Sequence, residues 1–259
     1  MSKKLKIFAL ITARSGSKSV KNKNIRNLEG YPIIAYSIIA AKLAGIKRTI
    51  ISTDSNKYAK ISKKYGGEVP FLRPKNFSKD SSLDFEPINH AIKWIQRYEK
   101  ILPDFIVHLR PTTPLRDPMV IKNVIKKFLK MQKKICSLRS AHIMVESPLK
   151  YCHRNKKGLF VGINKNSTPH SISFPKESYQ TGYIPNGYID IIKVKEVLKK
   201  KRLYGKKMYI YITPQGMEID SKEDLEYISY QAKKKKFKIL NYLKKNIRHT
   251  NTKRDLQKS

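Results

Sequence analysis

Short apolar runs alternate with longer amphipathic stretches through most of the chain. Residues 7–11 form an apolar run that is short and branched enough to predict a buried strand. Residues 33–43 carry apolar side chains along one face and predict a helix that begins after Pro32 and ends at Gly45. Further strands and helices repeat this alternation. The order of elements predicts the α/β class, with a mostly parallel sheet covered by helices on both faces.

The same reading extends to the rest of the chain. Further strands are predicted at residues 49–52, 68–72, 105–109, 135–141, 189–192 and 208–212, and further helices at residues 56–65, 85–98, 119–132 and 224–230. The pattern loosens between residues 142 and 184, where prolines separate short extended pieces such as residues 158–164. From Lys233 onward the chain becomes polar and cationic, and we expect a frayed basic tail over residues 233–259. The folded domain is therefore expected to span residues 1–232.

Length and cysteine content place this domain in a broad class. A chain of 259 residues accommodates one large α/β domain. Its apolar runs fall short of the roughly 20 residues that cross a membrane, and the first strand starts too early for a signal peptide. Cys136 and Cys152 have neither metal-binding spacing nor a disulfide framework. We therefore expect a cytoplasmic protein without a membrane segment.

The formal net charge of +37 is extreme and has three possible origins: nucleic-acid binding, anionic small substrates, or a composition biased toward lysine. Nucleic-acid modules tend to collect their cations on one face and to interleave aromatic residues. Here the lysines are spread through every segment, without a known nucleic-acid motif. We favour a lysine-biased enzyme with anionic ligands, because its charge would still attract a nucleotide and a sugar acid.

The candidate chemistry concentrates in the loop after the first strand, residues 12–28, with the sequence TARSGSKSVKNKNIRNL. A loop at the C-terminal edge of a first strand is where open α/β sheets bind nucleotides. Small residues let backbone N–H groups converge on an anion, and basic side chains supply the countercharge. Neither G-x-x-x-x-G-K-[ST] nor G-x-G-x-x-G is present. We rank phosphate binding above a solvated basic loop because the cations directly follow a strand-to-turn transition.

The loop and the run after it, ARSGSKSVKNKNIRNLEGYPIIAYSI, resemble the signature of the acylneuraminate cytidylyltransferases, or CMP-sialic acid synthetases. Five further blocks follow in family order and at family spacing: STD at 52–54, VPFLRP at 69–74, LRPTTPLR at 109–116, PNG at 185–187 and EIDSKED at 218–224. Together they span most of residues 5–230. The resemblance implies a Rossmann-like fold of the nucleotidyltransferase type, with a small dimerisation arm at about residues 142–184 that completes the partner's sugar site.

The resemblance also assigns roles to individual residues. The predicted catalytic residues are Arg14, Lys18 and Lys23, which would hold the triphosphate and offset charge on the leaving pyrophosphate. The predicted nucleotide-binding residues are Ala13, Arg14, Ser17, Lys18, Lys23, Asn24, Arg73, Asp80 and Asp84. The predicted substrate-binding residues are Arg110, Thr112, Thr113, Lys176, Asn186 and Gly187. Asp80 and Asp84 could also cap the helix that follows, and both roles can hold together.

Three of the positions that depart from the family pattern bear on the sugar. The family often has Gln where this chain has Arg110, and that Gln touches the sugar acid. Arg110 could instead pair with a carboxylate through two hydrogen bonds. Lys176 stands where the family commonly has an Arg that meets the sugar carboxylate, and Ile184 replaces another Arg. These changes leave the identity of the sugar open.

A metal site is predicted at Glu218 and Asp220. Alternation of carboxylate, apolar residue and carboxylate on an extended segment puts both acids on one face. Mg²⁺ prefers one or two carboxylates together with phosphate oxygens and waters. The family usually has Asp at both positions, and the longer Glu218 could act through water. Two acids before a helix more often cap it, and the upstream blocks favour the metal here.

The predicted reaction transfers CMP from CTP to a nonulosonic, sialic-acid-like sugar and releases pyrophosphate, with Mg²⁺ as the cofactor and a homodimer as the assembly. The sugar's anomeric hydroxyl would attack the α-phosphorus, and catalysis would rest on positioning and charge neutralisation. One alternative is a cytidylyltransferase for a Kdo-like, legionaminic or pseudaminic acid. Another is a non-enzymatic RNA-binding protein that uses the basic surface.

Overall fold

The structure is a computed structural model that describes residues 5–78 and 83–247. Its centre is a six-stranded sheet in the order β10-β6-β9-β5-β1-β4. The strands of this sheet are β1 (Ile7–Thr12), β4 (Arg48–Ser52), β5 (Phe105–His108), β6 (Ser137–Ile143), β9 (Tyr183–Lys193) and β10 (Met208–Ile212). β1 runs parallel to β4 and β5, and β10 runs parallel to β6, whereas β9 is antiparallel to both its neighbours. The mostly parallel sheet predicted from the sequence is confirmed.

Two small ribbons accompany the sheet. β2 (Asn27–Leu28) pairs with β3 (Tyr31–Pro32), and β7 (Cys152–Arg154) pairs with β8 (Phe160–Gly162). The extended stretch expected at residues 68–72 is reduced to isolated bridges of Glu68 and Leu72 to the β4 edge.

The helices lie on both faces of the sheet, as predicted. They are α1 (Ile33–Leu43), α2 (Asn56–Lys64), α3 (Phe85–Trp94), α4 (Pro118–Met131), α5 (Val194–Lys200), α6 (Lys222–Lys234) and α7 (Lys238–Asn246). A π-helical turn, Ile95–Glu99, continues α3. Alternate side chains of β1 show the two layers, because Ala9 and Ile11 pack with α1 and α4 whereas Leu10 packs with α3.

Local sequence explains where several elements begin and end. Pro32 precedes α1, and Gly45 follows it with a φ of 87°, a left-handed conformation that favours glycine. Ser55 caps α2 by accepting a hydrogen bond from the backbone N–H of Tyr58. Ser221 and Asp224 form a reciprocal capping box that fixes the start of α6.

Segment 144–182, between β6 and β9, carries only the β7–β8 ribbon and short 3₁₀ turns. Several of its apolar side chains are solvent-exposed, including Val145 at 70% and Leu159 at 61%. The segment overlaps residues 142–184, where the sequence predicted an insert, and that assignment stays a prediction. A dimerisation role for this segment stays a prediction.

The expectation of a frayed tail from Lys233 is wrong for the described part of that segment, residues 233–247. Lys233 and Lys234 complete α6, and α7 then packs against α1. Ile239, Leu240 and Leu243 bury their side chains almost completely in the main core. The physical reason is an apolar stripe at one-, three- and four-residue spacings within a lysine-rich stretch. Residues 248–259 lie outside the described chain.

Candidate functional site

The loop after β1 is ordered by a carboxylate on the neighbouring strand connection. Asp54, just after β4, accepts two hydrogen bonds from Ser15, at 2.7 Å from its backbone nitrogen and 2.8 Å from its hydroxyl. Gly16 then adopts a φ of 73°, which turns the chain at low steric cost. Asn24 closes the loop by donating its side-chain amide to the carbonyl of Arg14 at 3.0 Å. The two limbs of the loop are thereby held together at the C-terminal edge of the sheet.

A cleft of about 210 Å³ opens beside this loop. Its walls come from the loop, from the exit of β5 and from the start of α3. The lining residues are Thr12, Arg14, Ser17, Lys23, Asn24, Arg73, Phe77, Leu83, Asp84, Pro87, Arg110, Pro111 and Thr112. Eight of the residues predicted as site residues therefore meet around one cavity: Arg14, Ser17, Lys23, Asn24, Arg73, Asp84, Arg110 and Thr112.

One side of the cleft is strongly cationic. Arg73 is 4% exposed and anchors its backbone N–H on the carbonyl of Thr53 at 2.8 Å. Burial lowers the pKa of the Arg73 guanidinium, nearby Asp54 opposes that shift and Arg14 reinforces it. Lys23 is 8% exposed and donates to Asp220 Oδ1 at 3.0 Å. Basic groups gathered in a partly buried cleft favour an anion between them.

The opposite side carries Arg110 between two acids. Its guanidinium donates to Asp190 Oδ2 at 2.8 Å and to Asp84 Oδ2 at 2.5 Å. Asp190 is fully buried and also accepts from the Tyr204 hydroxyl at 2.8 Å. Asp84 does not use its side chain to cap α3, in contrast to the capping expected from the sequence. Asp80, the other acid of that expectation, lies outside the described residues.

The PNG segment is held from three directions behind the cleft. The Gly187 N–H donates to Glu218 Oε1 at 2.5 Å. A Cβ at Gly187 would clash with this oxygen and with Thr113 Oγ1, so a larger residue there would have to displace both side chains. The Asn186 amide is occupied by Ser140 Oγ at 2.7 Å and Thr213 Oγ1 at 3.1 Å. In this structure Asn186 and Gly187 fix the backbone near the site and do not line the cleft.

The two predicted metal ligands flank a buried residue, as their alternation requires. Ile219 is 0% exposed and donates its N–H to the Thr112 carbonyl at 2.8 Å, whereas Glu218 and Asp220 point outward. The Asp220 side chain is 75% exposed next to Lys23. Within residues 5–78 and 83–247, three acidic, histidine or cysteine side chains never cluster as a metal cage. The oxygen donors fit Mg²⁺, which needs only one or two carboxylates when phosphate oxygens and waters complete its shell.

The remaining predicted residues are more scattered. Ala13 is buried and donates its N–H to the Ser52 carbonyl at 2.9 Å. Lys18 is exposed on the loop, and Thr113 is buried next to Gly187. Lys176 lies on an exposed 3₁₀ turn of segment 144–182 and does not line the cleft.

Three residues that shape the site were missing from the predicted set. Asp54 orders the loop after β1, Asp190 holds Arg110, and Arg116 joins several backbone segments beneath the cleft. The fully buried Arg116 donates to the carbonyls of Tyr188 at 2.6 Å and Gly187 at 2.7 Å. Asp54 and Arg116 both belong to blocks noted in the sequence, so block membership was a usable signal.

His108, the last residue of β5, is also fully buried. Its Nε2 lies 3.0 Å from Thr12 Oγ1, and burial lowers the pKa of the imidazole to about 4. His108 is therefore neutral near pH 7.

Within the part of the chain that the structure describes, every helix is too short or too polar to cross a bilayer.

Comparison with known proteins gives a consistent result. A family model described as "Cytidylyltransferase" matches residues 8–247. The chain is 30% identical over 255 residues to the N-acylneuraminate cytidylyltransferase of Escherichia coli O18:K1:H7, covering 90% of this chain and 54% of that protein. The chain thus spans about half the length of this relative. It is 28% identical over 229 residues to a pseudaminic acid cytidylyltransferase of Campylobacter jejuni, covering 86% of this chain and 94% of that protein.

Among solved structures, the fold is similar to that of a CMP:2-keto-3-deoxy-manno-octonic acid synthetase complexed with CTP. The TM-score is 0.65, and the match covers 88% of this chain and 99% of that chain at 13% identity. At this identity the likeness concerns the fold alone.

Proposed function

The chain belongs to the cytidylyltransferase family, and on this basis we propose that it transfers CMP from CTP to a nonulosonic acid and releases pyrophosphate. The observation that carries the proposal is the cleft at the sheet edge. There Arg14, Lys23 and Arg73 form a cationic side that suits a triphosphate, and Arg110 stands on the other side among acids. One cavity thus offers places for both a polyanion and a sugar carboxylate.

The phosphate side supplies positioning and charge neutralisation. Lys23 is held on the short 3₁₀ helix Lys23–Ile25 and is largely desolvated. A buried cation placed where charge develops on the leaving pyrophosphate stabilises the transition state more than a mobile surface lysine can. Arg14, Lys18 and Lys23 thus act as the catalytic cations in the proposed reaction, while Asn24 and Arg73 place the nucleotide.

The decisive experiment is a pyrophosphate-release assay with CTP and a panel of acids. The panel contains N-acetylneuraminic, pseudaminic, N,N′-diacetyllegionaminic and 2-keto-3-deoxy-manno-octonic acids, since the family resemblance and the relatives leave the sugar open. We expect pyrophosphate release with at least one nine-carbon acid, and we expect this release to require CTP. Release with none of them, combined with RNA binding, would favour the RNA-binding alternative.

Mg²⁺ is the proposed cofactor, with Asp220 as its main protein ligand. When bound, the ion would neutralise phosphate charge in the site. Asp220 is accessible beside Lys23, whereas one oxygen of Glu218 is occupied by the Gly187 N–H. Glu218 is thus better placed to hold the PNG segment and to act on the ion through water.

Asp220→Asn is expected to raise the Mg²⁺ concentration for half-maximal activity and to lower turnover, because it removes one ligand charge while keeping size. Glu218→Gln should shift the Mg²⁺ dependence less. The measurement is pyrophosphate release against Mg²⁺ concentration for the wild type and both variants. Full activity in EDTA, or an unchanged dependence of activity on Mg²⁺ concentration in Asp220→Asn, would contradict the assignment of Asp220 as a metal ligand.

A homodimer built through segment 144–182 is part of the proposal. The supporting observation is the exposure of apolar side chains along it, among them Val145, Leu159 and Val161. Grouped exposed apolar side chains mark interaction surfaces in soluble proteins. The dimer would bring Lys176 of this segment toward the partner's sugar, as the family resemblance implies. A cytoplasmic location likewise stays a prediction.

Leu159→Asp should weaken the dimer, because a carboxylate would be desolvated at an apolar interface. Sedimentation velocity over a protein concentration series measures the effect, and the thermal midpoint should change little since Leu159 is exposed in the single chain. Lys156→Asp, an exposed position in the same ribbon, is the control and should remain dimeric. A wild-type protein that sediments as a monomer throughout the series would contradict this assignment.

A further inference from the structure

The two acids that hold Arg110 differ sharply in environment. Asp190 lies in the middle of the sheet on β9 with a side chain that is 0% exposed. Asp84 lies at the start of α3 on the cleft wall, and its side chain is 41% exposed. Both carboxylates are within hydrogen-bond distance of the same guanidinium. Arg110 is thus paired with one fully buried carboxylate and one solvent-accessible carboxylate.

Asp190 is fixed in place by more than Arg110. It accepts from the Tyr204 hydroxyl, and Arg139 Nε lies 3.7 Å from its other oxygen. Freeing a buried carboxylate from such partners is costly. Asp84 is partly exposed, and a partly exposed ion pair contributes little to stability, so separating Asp84 from Arg110 should cost much less. Its position at the N-terminal end of α3 also remains favourable for a negative charge that has left Arg110.

The charges around Arg110 balance without a ligand. Arg110, Arg139 and the buried Arg116 contribute three positive charges. Asp84, Asp190 and Glu218 contribute three negative charges, and His108 is neutral near pH 7. A sugar carboxylate added to this set would leave an excess negative charge in a partly dry site. Exchange of that carboxylate for Asp84 would keep the balance.

We propose that Asp84 occupies the carboxylate position of the acid substrate, and that the sugar's carboxylate displaces Asp84 from Arg110 while Asp190 stays bound. This inference rests on the proposed function and names its acid-recognition residue. The guanidinium offers parallel N–H donors that suit a carboxylate. A neutral sugar has no charge with which to displace Asp84. The pair therefore selects for acids by excluding neutral competitors.

Asp84→Asn tests the exchange, because it removes the resident charge at nearly constant size. The KM for the acid should fall about threefold, the scale of a partly exposed ion pair, while the KM for CTP stays unchanged. Glu86→Gln is the matched control, since Glu86 lies in the first turn of the same helix and lines a different groove. Steady-state pyrophosphate release with the best acid of the panel measures both constants.

Three outcomes would overturn the inference. An unchanged or raised KM for the acid would show that Asp84 does not compete with it. A raised KM for CTP would show that Asp84 binds the nucleotide, as predicted from the family resemblance. An equal decrease of both constants in Asp84→Asn and Glu86→Gln would reveal a general charge effect.

Failure of the proposed function is a separate result. It would appear as a wild-type protein without turnover on any acid of the panel. Calorimetric titration of the four free acids into the wild type and Asp84→Asn then decides the exchange. Tighter binding to the variant supports the inference, and equal, weaker or undetectable binding overturns it.

Discussion

Lys23→Ala should lower turnover at saturating CTP about a hundredfold, in the range seen when one preorganised charge contact is removed from an active site. Lys23 is largely buried on the cleft wall, with its ammonium 3.0 Å from Asp220. Loss of a hydrogen bond to a charged group costs about 1.5–3 kcal/mol, and each 1.36 kcal/mol of barrier is about tenfold in rate. The cation would be missing where charge develops on the pyrophosphate, so the effect should fall on kcat.

The fold should survive this change. The Lys23–Asp220 pair is exposed on the Asp220 side, and such pairs contribute at most about 1 kcal/mol to the free energy of unfolding. Lys21→Ala is the matched control, because Lys21 is an exposed lysine of the same loop and does not line the cleft. Stopped-flow or coupled pyrophosphate assays compare the three proteins. Near-normal turnover of Lys23→Ala at saturating CTP would show that the loop is misassigned.

The site could be predicted from the sequence where it follows directly from strand order. Residues after β1 and β5 meet at one sheet edge because the two strands are parallel neighbours. That placement brought Arg14, Lys23 and Arg110 together. The partners of Arg110 could not be predicted in the same way. Asp190 reaches it only because β9 inserts antiparallel between β5 and β6, and no local pattern encodes that insertion.

The length of β9 was also underestimated for a physical reason. The sequence predicted residues 189–192, whereas the strand extends from Tyr183 to Lys193. Its first residues are exposed and include Pro185, which weakens any apolar or alternating pattern. Pairing with the end of β6 organises them instead. The helix α5 after β9 was missed because its seven residues carry only one full turn of apolar pattern.

The missed helix α7 has the largest consequence for stability. Its apolar stripe was obscured by the lysines around it, at residues 233–236 and at 244–245. The structure places Ile239 and Leu243 at 0% exposure and Leu240 at 2%, packed with α1. Burying one such side chain contributes about 1.5–3 kcal/mol. The apolar stripe was present in the sequence, but the high average polarity of the segment hid it.

A chain ending at Lys235 should therefore be severely destabilised, in contrast to what a frayed tail from Lys233 would imply. It would lose three core side chains and expose the α1 face that they cover. The combined loss of free energy would be comparable with the whole unfolding free energy of a typical domain, about 5–15 kcal/mol. We expect an insoluble product or a broad, low-temperature unfolding transition. Leu243→Ala, which keeps the helix, should lower the free energy of unfolding by about 2–5 kcal/mol. Chemical denaturation measures this loss.

Two controls locate the effect in α7 itself. A chain ending at Ile247 keeps the helix and should unfold like the full chain, and Lys244→Ala on its exposed side should change stability by less than about 0.5 kcal/mol. If the chain ending at Lys235 unfolds at the wild-type midpoint, α7 does not contribute to the core. If the chain ending at Ile247 is as unstable as the shorter one, the stabilising contacts lie beyond α7. We expect neither of these two results, because Leu240 and Leu243 lie within α7 and both side chains are buried in the core.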